Sequence, residues 1–104
     1  MFIGVNLMRD YGCDMRGLLS FQILFLLSKR SMHGEELAQE IEKRRGEKPK
    51  AGTIYPALKE LSANGLIVGK KKGKIIAYSL TARGKESLKR ATRYFVRCFG
   101  DIIG

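Results

Sequence analysis

The sequence predicts a mainly α protein with a small β-hairpin late in the chain, and three observations carry that prediction. Apolar residues recur at spacings of three and four through residues 17–63 and again beyond residue 82. Between residues 66 and 80 the spacing changes to two. Glycine-containing breaks, "SMHG", "RGEKPK", "NG" and "KKG", separate these runs.

Residues 1–16 are the least periodic part. Phe2, Ile3, Val5, Leu7 and Met8 suit an N-terminal arm or a short helix, whereas Gly4 and Gly12 weaken either form. Gly17 to Lys29 reads as a helix that is apolar nearly all round, and such a helix needs cover on several faces. Its run "LLSFQILFLL" spans 18–27, about half a bilayer crossing, and lacks the position and cleavage site of a secretory signal. A buried helix is therefore expected there rather than a membrane segment.

Ser31-Met32-His33-Gly34 breaks the pattern, and a second helix runs to about Arg45 with Leu37, Ala38 and Ile41 as its apolar stripe. Glu35 and Glu36 lie in its first turn and Lys43, Arg44 and Arg45 in its last, each sign favoured there by the helix dipole. Gly46 is placed to end it.

A third helix follows within "AGTIYPALKELSANGLI", residues 51–67, closed by Asn64-Gly65. Pro56 admits two starts. With Thr53 as N-cap, Pro56 is the third helical residue and forfeits no hydrogen bond; with a start near Lys50, it opposes the carbonyl of Gly52, which tolerates the adjustment. Ile54, Leu58 and Leu61 point inward at the helical period, leaving Gly52, Tyr55, Pro56 and Lys59 outward and Thr53 at the flank.

"LIVGK" and "KIIAYSL" are β-prone runs flanking Lys72-Gly73, with Ile76, Tyr78 and Leu80 on one face and four lysines at the tip. Thr81 then caps a long last helix. Leu88, Thr92 or Ala91, Phe95, Phe99 or Cys98, and Ile102 form its apolar stripe, with Arg83, Lys89, Arg90, Arg93 and Arg97 on the other faces.

The chain is short enough for one domain of 104 residues, and its modest core would gain from a second subunit. The net charge is +10. Between Lys43 and Lys74, ten basic residues face only Glu47 and Glu60, so this third of the chain holds +8 of it. Such a patch suits a polyanion, nucleic acid ahead of anionic membrane, although a solvated lysine-rich surface has the same composition. Cys13 and Cys98 lack companions at metal-ligand spacing and read as reduced thiols of a cytoplasmic protein, a bridge between subunits being the alternative. His33, the single histidine, has no nucleophile or carboxylate pair about it and reads as a structural residue of a helix start. No enzyme, metal or cofactor is expected.

Three helices followed by a hairpin is the order of a winged helix-turn-helix, here plus a long C-terminal dimerisation helix. The second helix of such a pair enters the DNA major groove with its N-terminal residues on base edges. That places Gly52, Thr53, Tyr55, Pro56 and Lys59 on the reading face, with Lys48 and Lys50 preceding it. Glycine allows close backbone approach, Thr53 and Tyr55 can bond phosphate or base edges, and lysine supplies charge. Lys70, Lys71, Lys72 and Lys74 at the hairpin tip suit a wing along the backbone or in the minor groove.

The motifs "MHGEELAQEI", "GTIYPALKELSANGLI" and "YSLTARGKESL" occur in that order over residues 17–90, and together they resemble the PadR family of transcriptional regulators. Glu35 departs from the aromatic usual after His-Gly in that family, and the chain has no tryptophan, so drug binding against a tryptophan is not carried over. The resemblance implies a cytoplasmic homodimeric repressor of double-stranded operator DNA, released by a small-molecule or stress signal. The expected organisation is an arm at 1–16 at the dimer interface, a DNA-binding domain at 17–81 and a dimerisation helix at 82–104. The expected interface comprises Leu18, Phe21 and Phe25 with Leu88, Thr92, Phe95, Phe99 and Ile102. The rival reading is a winged-helix module for protein or RNA without specific operator recognition.

Overall fold

Arg16–Leu27 folds as helix α1, and the computed structural model describes residues 16–103 from there onward. The arm expected at 1–16, apart from Arg16, and with it Cys13, lies outside the described residues. Leu19, Ile23, Leu24, Leu26 and Leu27 of α1 are buried, so the helix meets the core on most of its circumference, while Leu18 and Phe25 remain exposed. Ile23 is wholly buried, and truncating such a side chain to alanine costs about 2–5 kcal/mol.

Met32 and His33 form a strand, β1, where the sequence predicts only a break. Two residues are too few for an alternating pattern to show. Helix α2 (Gly34–Arg45) follows at once. His33 is its N-cap: Nδ1 accepts from the backbone N–H of Glu36 at 3.3 Å, and the Glu36 carboxylate accepts from the His33 N–H at 3.0 Å. This reciprocal capping box satisfies two donors that a helix start leaves orphaned, in keeping with a structural histidine. Gly46, left-handed at φ 83°, closes α2 by donating to Glu42 O at 2.7 Å. Leu37, Ala38 and Ile41 are its buried stripe.

Helix α3 spans Ala51–Ala63 with Lys50 as N-cap, so the earlier of the two starts is the one adopted. Thr53 is not the cap: its N–H and that of Ile54 both donate to Lys50 O, at 2.8 and 3.0 Å. Pro56 thus opposes Gly52 inside the helix, which continues through it. Ile54, Ala57, Leu58 and Leu61 are buried, whereas Gly52, Thr53, Tyr55, Pro56 and Lys59 are exposed. At the C-terminus Leu66 N–H donates to Leu61 O and Gly65 N–H to Ser62 O, a Schellman pair made possible by Gly65 at φ 75°.

Strands β2 (Ile67–Lys72) and β3 (Ile75–Leu80) pair antiparallel from Ile67↔Leu80 to Lys72↔Ile75. Lys72 belongs to β2, and the turn is Gly73-Lys74, one residue beyond the expected Lys72-Gly73. β1 pairs with the other edge of β3 (Met32↔Tyr78), giving a three-stranded sheet of order β1-β3-β2 rather than a lone hairpin. Ile67 is buried, and Tyr78 and Leu80 pack against the core, but Ile76 on the same face lies beyond its edge and is exposed.

Helix α4 (Ala82–Ile103) starts at Thr81, whose Oγ1 accepts from Gly84 N–H at 3.0 Å and donates to Gly65 O at 2.6 Å. Leu88 packs on the core, and farther along, Phe95 stacks on Phe21 of α1 at 6.2 Å between ring centroids. Among the described residues the architecture is four helices and one small sheet, a winged helix. No described helix is long and apolar enough to cross a membrane.

Candidate nucleic-acid interface

Burial of Ile54, Leu58 and Leu61 turns the opposite side of α3 to solvent, and this single constraint presents Tyr55 and Lys59. Tyr55 is 49% exposed. Its buried half covers Gly34 at the start of α2, where a Cβ would stand 2.7 Å from both Cε1 and Oη of the ring. The hydroxyl end of the ring therefore rests on the neighbouring helix while the residue stays about half exposed. Gly52 has open space on its side-chain side, so backbone there is accessible to close approach.

Lys48, Lys50 and Thr53 meet around one open cleft of about 280 Å³, together with Leu19, Arg45, Glu47 and Pro49. Lys48 is the exception among the expected DNA-facing lysines, because its Nζ pairs with the Glu35 carboxylate at 2.5 Å. That hydrogen bond and the accompanying charge hold Glu35 below the usual carboxylate range and raise Lys48 above the usual amine value. Lys50, Lys59, Lys70, Lys71, Lys72 and Lys74 form no ion pair among the described residues, whereas Lys43 and Arg44 share Glu40. The wing lysines lie at the far end of the hairpin, all exposed and spread over its two faces by the alternation of β2. Lys50, Lys59 and the wing lysines thus each present an exposed positive charge that no described carboxylate pairs.

The residues expected at a dimer interface occupy a different region. Leu18, Phe25, Thr92, Phe95 and Phe99 are exposed, Phe21 is half-buried against Phe95, and Leu88 packs on the chain's own core. Ile102 lies within α4. Phe95 and Phe99 stand 5.1 Å apart and, with Val96 at 58% exposure, leave an apolar face on the outer half of α4.

Sequence reasoning overlooked Gly34 and Glu35 as shapers of this surface. The Gly34 contact joins residues far apart in the chain, and the only local signal was a glycine at a helix start, where many residues are tolerated. Among the described residues no group of histidines, cysteines and carboxylates is arranged to hold a metal.

Curated proteins supply no match to the chain. Solved structures do. A candidate transcriptional regulator of Thermoplasma acidophilum is 30% identical, covering 84% of this chain and 90% of that one, with a TM-score of 0.67. A PadR family transcription regulator of Clostridium difficile R20291 is 27% identical over 83% of this chain and 98% of its own, with a TM-score of 0.65. A transcriptional regulator of Clostridium thermocellum shares the fold at a TM-score of 0.75, with 23% identity over 83% of this chain and 87% of that one. The model of the transcriptional regulator PadR-like family matches residues 23–90, which hold the helix-turn-helix, the wing and the start of α4. The chain belongs to that family of DNA-binding transcriptional regulators, which are not enzymes.

Proposed function

We propose that this protein is a homodimeric repressor that reads a pseudo-palindromic operator in the cytoplasm. The observation that carries the reading is that Lys50, Lys59 and the four wing lysines are exposed and form no ion pair among the described residues, with Tyr55 exposed on the side of α3 opposite its buried stripe. Gly52, Thr53, Tyr55, Pro56 and Lys59 enter the major groove, Lys48 and Lys50 lie along the backbone beside it, and Lys70, Lys71, Lys72 and Lys74 follow the backbone or the minor groove.

Dimerisation through α4 and α1 supplies the second reading helix. Leu18, Phe25, Phe95 and Phe99 offer an apolar surface, and covering it removes from water rings that contribute about 25 cal/mol per Å² of buried apolar area. Residues 17–81 then serve as the DNA-binding unit and 82–104 as the dimerising one. A dimer seated on an operator occludes the promoter, and a small-molecule or stress signal releases it.

Selection of bound sequences from a random duplex pool, followed by salt titration, tests this reading. Enriched half-sites about one helical turn apart are expected, with affinity that falls steeply as salt rises. Lys59→Ala is expected to lower the logarithmic salt slope by about 0.9, the value of one phosphate contact. Binding that is negligible at low salt, or a pool that yields no common sequence, would leave the rival protein- or RNA-binding module.

A further inference from the structure

We propose that Glu35 is an internal competitor for the DNA backbone, occupying Lys48 in an ion pair that a phosphate has to displace. The inference rests on the DNA-binding reading of α3 and deepens it by assigning a residue that sets affinity against salt.

Three observations support the assignment. Lys48 Nζ lies 2.5 Å from Glu35 Oε2, and both side chains are about half exposed, so a phosphate can reach the pair. Lys48 borders the same cleft as Lys50 and Thr53 at the start of α3. Glu35 also follows Gly34, on which Tyr55 of the reading face rests, so the backbone that carries it is in contact with that face. The Glu35–Lys48 couple therefore presents no net charge where Lys50 and Lys59 each present one.

The carboxylate has a second donor when Lys48 leaves. Gln39 Nε2, one turn along α2, already donates to Glu35 Oε2 at 3.4 Å. Glu35 also sits in the first turn of α2, where the helix dipole favours a negative charge. Exchange of Glu35 for phosphate on Lys48 thus leaves neither group stranded. It tempers non-specific binding, because every duplex must break the same pair before Lys48 contributes.

The test measures binding of the full-length protein to a labelled random-sequence duplex across a series of potassium chloride concentrations. Wild type, Glu35→Gln, Lys48→Ala and the double variant are compared, with melting temperature monitored to confirm folding. Glu35→Gln is expected to bind about fivefold tighter near physiological salt and to steepen the logarithmic slope by up to about 0.9, the value of one phosphate contact. In the Lys48→Ala background the same substitution is expected to change little. Unchanged or weaker binding by Glu35→Gln overturns the proposal. So does an equal gain in both backgrounds, which would reflect general repulsion of DNA by the carboxylate. Absence of salt-dependent binding by wild type overturns the DNA reading itself, and this inference with it; wild-type binding without the Lys48-dependent gain overturns only the inference.

Discussion

The ring of Tyr55 occupies the space in which a side chain at Gly34 would begin, with Cε1 and Oη both 2.7 Å from that point. Position 34 therefore has to be glycine for Tyr55 to rest against α2 while staying half exposed. Gly34→Ala is expected to push the ring aside. Because Tyr55 is half exposed and can swing outward, the stability loss should stay within about 1–2 kcal/mol, at the lower end for overpacking. Affinity for operator should fall to the level of Tyr55→Ala, and the double variant should lose nothing more. Urea denaturation and fluorescence anisotropy measure the two effects; a Gly34→Ala protein that binds like wild type would remove Tyr55 from the interface.

Gly84 is a harsher case. A Cβ there would stand 2.0 Å from the backbone oxygen of Leu66, which is held by Thr81 N–H at 3.1 Å and cannot swing away. Gly84→Ala is expected to cost about 3 kcal/mol or more by displacing α4 from the end of α3. A urea midpoint equal to that of wild type would contradict the packing.

Phe95 stacks on Phe21 and touches Phe99, yet remains 37% exposed. Phe95→Asp is expected to convert a dimer to a monomer in sedimentation velocity while leaving the helix-turn-helix folded, since the buried core lies elsewhere. Equal mass for wild type and variant would reject the proposed interface.

Acid should loosen the start of α2. The His33 backbone N–H holds the Glu36 carboxyl below its ordinary value of 4.5, with Arg30 adding to the effect. A depressed carboxylate contributes stability that is present above 4.5 and is lost as pH falls through the lower folded value. Melting temperature should therefore drop below pH 4.5, and Glu36→Gln should flatten that limb. An acid limb identical in the variant would assign the loss to other carboxylates.

Ile54, Leu58 and Leu61 share a face because the helical period places them there whatever they pack against, and that face alone turns Tyr55 and Lys59 outward. Gly46 and Gly65 ended their helices because a left-handed residue is needed at each stop. Pro56 was ambiguous because both starts of α3 satisfied local chemistry; Lys50 prevailed once its carbonyl accepted from Thr53 and Ile54.

Helix order, the basic third of the chain and the two faces of α3 are thus determined by the sequence itself, since periodicity and charge act between near neighbours. The pairing of β1 with β3, the seat of Tyr55 on Gly34 and the capture of Lys48 by Glu35 were decided only by the tertiary structure. Each joins residues on different elements, and such contacts depend on how the apolar faces pack in three dimensions, which no local spacing encodes.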